Sequence, residues 1–198
     1  MPEHYPKLDP WYVTGLVDGE GCFSLALNTE NRKRKNGTIS SYTYWVTAFH
    51  VSLRADDSEI IFKLKEFFGC GSAKVFISPS ERKRNGMGTA ALHIASRKDL
   101  LSKIIPHFDE YRLQAKKYAI YRLWCEAVFI LVKSDSRRPT KFSRQQITSG
   151  EELRLREIKE FMAYAQTAGH RRIALEALDK KTGKIISISS INSLIKPE

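Results

Sequence analysis

Val13-Thr14-Gly15-Leu16-Val17-Asp18-Gly19-Glu20-Gly21, running straight into Cys22-Phe23-Ser24-Leu25-Ala26-Leu27-Asn28, is the stretch from which the rest of this chain can be read. Trp11, Val13, Leu16 and Val17 recur at helical spacing, so residues 10–20 read as a short helix. Gly15 and Gly19, four residues apart, fall on one face of it. After Gly21 the period drops to two, with Phe23, Leu25 and Leu27 on one side and Ser24, Ala26 and Asn28 on the other, which is a strand with one buried face. Taken alone, the helix is an ordinary packing helix that ends in a solvated glutamate. Its direct passage into an amphipathic strand makes it more informative than that.

The whole chain has 198 residues, 33 Lys and Arg against 22 Asp and Glu, a net charge of +11 and an apolar fraction of 42%. These values describe one compact basic domain with enough apolar residues for a core. No stretch approaches the ~20 uninterrupted apolar residues of a membrane span, and residues 1–10 lack the apolar run of a secretion signal, so neither a membrane protein nor a secreted one is expected. Cys22, Cys70 and Cys125 are odd in number and far apart, which indicates neither a disulfide framework nor a zinc knuckle, and points to reduced thiols in an intracellular compartment. The positive charge is clustered at Arg32-Lys33-Arg34-Lys35, Arg82-Lys83-Arg84, Arg137-Arg138 and Arg171-Arg172. One such run is often only a solvated loop tip; four with no acidic block to balance them point to a polyanion, and first to nucleic acid.

Residues 31–37 read as a basic turn, and 42–54 as a second long strand. Trp45, Phe49, Val51 and Leu53 of that strand face the core, while Tyr42, Tyr44, His50, Ser52 and Arg54 face away. Asp56-Asp57-Ser58-Glu59 opens a helix whose Ile60, Ile61, Leu64, Phe67 and Phe68 keep helical spacing until Gly69 stops it. Residues 72–78 and 89–96 form a hairpin around a basic tip, with Leu92 and Ile94 inward and His93 outward. Helices follow over 99–108, 116–133 and 151–168, the last with a capping box from Ser149 to Glu152 and with Leu155, Ile158, Met162 and Ala165 on one face. The predicted order is αββαββααα, an α+β fold. Residues 1–172 are expected to form one domain and 173–198 an extension with no assigned structure.

The nonapeptide 13–21 resembles the LAGLIDADG motif of homing endonucleases and intron maturases: the apolar, Gly, apolar, apolar, Asp, small, acid and Gly positions all match. Val13 and Thr14 depart from the name at its first two letters, and Glu20 stands where it spells Asp, which keeps the carboxylate and changes only its reach. Ala48-Phe49-His50-Val51, the helix ending Phe67-Phe68-Gly69, and Ile104-Ile105-Pro106-His107-Phe108 leading to Leu113 and Lys116-Lys117 extend the resemblance in order and spacing over residues 10–165. It implies the αββαββα fold of that family with added C-terminal helices, its antiparallel sheet forming a DNA-binding saddle. It also implies that two motif helices pack across a two-fold axis through Trp11, Gly15, Leu16 and Gly19, the glycines allowing close approach. Only one motif is present, so the active site is expected to be completed in a homodimer. Glu20 with Gly19 would then hold Mg²⁺, or another divalent cation such as Mn²⁺, between paired carboxylates that would otherwise repel.

Under the same resemblance Lys116 and Lys117 stand where the family carries its basic catalytic residue, able to balance charge on the phosphate or to position water. Either could serve. Leu53 departs from the polar side chain often found near there, which leaves Arg54 or His50 to help order water. The exposed strand face, with Ser24, Asn28, Tyr42, Tyr44, His50, Arg54, Lys74 and His93, suits base edges in the major groove. The loop cations Arg32, Lys33, Arg34, Lys35, Arg82, Lys83 and Arg84 suit phosphates. His50 and His93 have no spacing that forms a metal site by themselves.

The expectation is therefore an intron- or intein-associated, metal-dependent double-strand DNA endonuclease that cuts a long pseudo-palindromic site. Its place would be a bacterial or archaeal cytoplasm, or an organelle. An intron maturase binding RNA on the same scaffold is the alternative, and the retained Glu20 weighs against it because pure RNA binders can lose the acid. A non-cleaving DNA-binding regulator would carry a helix-turn-helix, for which the tail after residue 172 is too short. A nuclease of the PD-(D/E)xK type finds only Glu81-Arg82-Lys83 at a hairpin tip and Glu157-Ile158-Lys159 in a helix pattern, and such tripeptides are common by chance.

Overall fold

The computed structural model describes residues 7–33, 36–77, 86–115, 117–140 and 144–167, the last stretch with side chains to 163. Helix α1 (Pro10–Glu20) leads into β1 (Gly21–Lys33) and β2 (Ile39–Arg54). A single 3₁₀ turn, Ala55–Asp57, precedes α2 (Ser58–Phe68), which is followed by β3 (Ser72–Phe76) and β4 (Thr89–Ile94). Next comes α3, wound in three consecutive pieces: Arg97–Asp99, a π-helical Leu100–Ile104, and Ile105–Glu110. Two long helices, α4 (Lys117–Ser136) and α5 (Ser149–Thr167), close the described chain. The expected α+β order is present, on one antiparallel four-stranded sheet ordered β1-β2-β4-β3.

The chain clusters into two compact units. The first holds Met1–Ser24 with Val46–Ala115, the second Leu25–Trp45 with Lys116–Glu198, and β1 and β2 each run from one into the other. The 173–198 extension lies outside the described residues.

In the first unit Phe23, Phe49, Phe68 and Phe108 pack ring to ring, with Phe23 5.4 Å from Phe49 and 5.7 Å from Phe108 between centroids. Val13, Val17, Ile61, Leu64, Leu92, Ile94, Leu100 and Ile104 complete the core around them. Burying each such side chain contributes about 1.5–3 kcal/mol, so this cluster is the main support of the first unit. The β4 register sets His50 opposite His93 and Val51 opposite Leu92, so the strand alternation read from the sequence places the polar pair on one face and the apolar pair on the other. Gly69 ends α2 in the left-handed conformation (φ 60°), as its position after Phe68 predicted. The π-helical turn in α3 directly precedes Ile105-Pro106. Proline has no N–H to give the preceding turn and its ring crowds the carbonyl there, which a widened turn accommodates.

In the second unit Trp45, Trp124, Tyr121, Val128, Leu131, Leu155, Ile158 and Met162 are buried, α4 packs on α5, and Arg154 forks onto Glu126 at 2.7 and 3.0 Å.

Three local expectations need correcting. Residues 31–33 are not turn but the end of β1. The capping box of α5 is made by Thr148 and Glu151, not Ser149 and Glu152: the Thr148 Oγ1 accepts from the Glu151 N–H at 3.3 Å, and Glu151 returns the bond to the Thr148 N–H at 2.9 Å. Both pairs have the same spacing, and the choice fell to Thr148 because Glu152 instead accepts the Trp45 indole N–H at 2.6 Å. At α2, Asp57 makes no side-chain cap bond, and Asp56 turns to Arg54.

Candidate active site and nucleic-acid interface

Asp9 starts α1 by accepting the Trp11 and Tyr12 N–H groups at 2.8 and 3.2 Å, with Pro10 in the first turn. One side of the helix is committed to its own unit. Val13 and Val17 are fully buried, and the buried Thr14 hydroxyl donates to the Tyr111 carbonyl at 2.9 Å and lies 3.4 Å from Nε2 of His107. His107 is itself buried, and desolvation pushes its pKa down to about 4, so at neutral pH the ring is uncharged. The other side is open: Trp11, Gly15, Gly19 and Glu20 are exposed and Leu16 is half-buried. A Cβ added at Gly15 or Gly19 would meet nothing within 4 Å. Trp11, 54% exposed, rests its ring edge-on against Tyr111.

The last glycine of the motif answers a different need. The Gly21 N–H bonds the Val17 carbonyl, and a Cβ there would fall 2.5 Å from Val17 Cγ1 and 2.8 Å from its carbonyl oxygen. Only glycine lets the chain leave α1 for β1 at that angle. Asp18 holds a distant segment, its Oδ2 accepting the N–H groups of Gln114 and Ala115 at 2.8 and 3.2 Å. These two residues lead the chain to the expected lysines. Lys117 opens α4 and is buried, whereas Lys116 lies outside the described residues. Glu20 belongs to the first unit and Lys117 to the second.

Glu20, the last residue of α1, sits at the negative end of the helix dipole with an exposed carboxylate, a setting that draws cations. Among the described residues no three His, Cys, Asp or Glu side chains group into a metal cage. Oxygen donors of this sparse kind fit Mg²⁺ or Mn²⁺, which bind through one or two carboxylates together with water and substrate phosphate.

On the sheet the structure brings Ser24, His50 and His93 into a row across β1, β2 and β4. Ser24 Oγ lies 3.0 Å from Nε2 of His50 and 3.2 Å from the Ala48 carbonyl oxygen, which accepts from it. The His50 and His93 rings are 4.6 Å apart, and burial, with His93 second, lowers the His50 pKa. Asn28, Lys33 and Lys74 are exposed strand residues. Arg32 is not a free loop cation: it pairs with Glu30 at 2.7 Å, lies over the Tyr42 ring at 5.3 Å, and Glu30 also accepts the Tyr42 hydroxyl. Tyr42 in turn packs on Tyr44 at 5.6 Å. Arg54 is matched by Asp56. The expected phosphate contacts Arg34, Lys35, Arg82, Lys83 and Arg84 lie outside the described residues.

The family profile described as LAGLIDADG endonuclease matches residues 13–128, from the motif helix into α4. This chain belongs to the LAGLIDADG endonuclease family. Among curated proteins it is similar to an uncharacterized 50.9 kDa protein in ND4 intron 1 of Podospora anserina, 35% identical over 130 residues, which cover 64% of this chain and 25% of that one. It is also similar to probable intron-encoded endonuclease 3 of Neurospora crassa, at 26% over 132 residues covering 62% and 20%. The chain thus spans about a quarter of the length of these relatives. The solved homing endonuclease I-TnaI shares the fold with a TM-score of 0.60 at 22% identity, over 88% of this chain and 99% of that one. I-SmaMI bound to an uncleaved DNA target with calcium ions gives 0.60 at 25%, over 88% and 50%.

Within this LAGLIDADG chain, three polar roles escaped the sequence reading: Asp9 as the cap of α1, Asp18 as anchor of residues 114–115, and Gln145, whose side-chain amide bonds both the N–H and the C=O of Trp45 at 2.8 Å. For Asp9 the signal was there, an Asp directly before Pro10. Asp18 and Gln145 reach partners 96 and 100 residues away, and no local pattern announces them.

Proposed function

We propose that this chain is one half of a metal-dependent, site-specific DNA endonuclease of the homing type, completed by a second copy across α1. The observation that carries the reading is the division of α1. One side is buried in its own unit through Val13, Thr14 and Val17, and the other presents an open strip through Gly15 and Gly19 that ends at the exposed Glu20. A helix joined to its symmetry mate along that strip brings two Glu20 carboxylates together at the end of the interface. A divalent cation bound there with Gly19's backbone would polarise the scissile phosphate and lower the pKa of water. Glu20 supplies the ligand charge, and Gly21 and Asp18 hold the end of α1 in place; the family resemblance separately gives Lys116 or Lys117 the role of a cation for charge that builds on phosphate.

The row Ser24, His50 and His93 offers donors and acceptors to base edges, and the exposed Asn28 and Lys74 extend that face, while Lys33 at the end of β1 is left to phosphate. A homodimer reads two mirrored half-sites, so its target is pseudo-palindromic. The intron-borne descriptions of the relatives support an intron-encoded role for this chain as well. Incubating the purified protein with a library of random duplexes in Mg²⁺, with and without chelator, and sequencing the new ends tests the reading. Chelator-sensitive ends at one recurring, near-symmetric site are expected. Binding to structured intron RNA with no cut DNA would transfer the reading to the maturase role.

A further inference from the structure

Arg144 lies just ahead of α5, in a segment fastened to the second unit at several points. Gln145 makes with Trp45 the pair of backbone bonds that a neighbouring strand would make, at 2.8 Å each. The carbonyl of Gln146 accepts Arg137 Nε at 2.9 Å, and the Arg137 guanidinium also holds Glu151 at 2.9 Å. Glu152 accepts the Trp45 indole N–H. Arg144 itself is exposed, and among the described residues no carboxylate pairs with it. Its guanidinium carbon sits 5.8 Å from the centre of the Tyr42 ring, which Arg32 approaches at 5.3 Å. Two guanidinium groups therefore share one tyrosine, and Glu30 neutralises only Arg32. Glu30 is already taken by Arg32 and the Tyr42 hydroxyl, so among the described residues the Arg144 charge has no carboxylate of its own, and a planar guanidinium resting against a ring binds phosphate bidentately at reduced entropic cost.

We propose that Arg144, held by the Gln145–Trp45 latch and stacked with Arg32 on Tyr42, is a phosphate clamp for the DNA backbone, supplied from outside the sheet. The inference rests on the DNA-binding reading above. Gln145 is its positioning residue.

The test measures duplex affinity of the full chain by fluorescence anisotropy over a series of salt concentrations, using a cleavable duplex in Ca²⁺ and an unrelated duplex. Arg144→Ala should weaken both duplexes alike and flatten the slope of log K against log salt by about 0.9 per chain. Arg144→Lys should restore the slope and only part of the affinity, because the point charge lacks the fork. Gln145→Ala, which removes no charge, should lower affinity with the circular dichroism spectrum unchanged. An Arg144→Ala protein with the wild-type salt slope overturns the clamp while leaving the DNA reading intact. A wild-type protein that binds neither duplex overturns both. A loss confined to the cleavable duplex also overturns it, since that is base readout.

Discussion

Gly15→Ala separates what the motif does for one chain from what it does for a pair. Gly15 lies in the middle of an 11-residue helix on its exposed side, and the added methyl meets nothing within 4 Å of its own chain. Alanine exceeds glycine in a helix interior by about 0.8–1 kcal/mol, so the isolated chain should gain close to that amount. For a chain of this size the gain raises Tm by roughly 2–4 °C. Across a close helix pair the sign reverses. A methyl forced into a packed contact costs about 1–3 kcal/mol, and a two-fold axis presents it twice, so association should lose at least about 2 kcal/mol, roughly 30-fold in the dimerisation constant. Urea unfolding at a concentration where the protein is monomeric, paired with sedimentation equilibrium, reads both effects. A variant less stable as a monomer would show that Gly15 faces its own chain. Unchanged association would remove the Gly15 face from the interface and with it the shared Glu20 site.

Gly21→Ala should behave oppositely, losing about 1–3 kcal/mol of monomer stability by urea titration, because its Cβ would fall 2.5 Å from Val17 Cγ1; a neutral result would refute the tight exit from α1. Glu20→Gln should end cleavage while duplex affinity stays near wild type, and retained cutting would take Glu20 out of the active site. His107 has a folded pKa of about 4 against an ordinary 6.5, so the unfolded chain takes up the extra proton between those values. The contribution of His107 to stability is fully present above pH 6.5 and is lost as pH drops toward 4, by about 3 kcal/mol over the window. His107→Gln should flatten that part of the stability–pH curve, and a curve as steep as wild type would assign the loss to other groups.

The family and the order of elements were legible because they rest on local rules. The helix-to-strand change at Gly21 is a change of period from 3.6 to 2, Gly69 marks a left-handed helix end, and the alternation of β2 and β4 already separates His50 and His93 from Val51 and Leu92. Glycines at 15 and 19 were legible as a face, though not as an open one; that required knowing which other residues of α1 the core takes. Tertiary structure alone decided the partners. It matched Arg32 to Glu30 and Arg54 to Asp56, so one cation read as free for phosphate and one read as free for base edges are already paired. It gave the α5 cap to Thr148 because Glu152 was drawn to Trp45, brought Asp18 to residues 114 and 115, and laid Gln145 on the backbone of Trp45. Periodicity says which way a side chain points relative to its own strand or helix. What it meets there depends on sheet register and on segments about a hundred residues away, and that information exists only once the chain has folded.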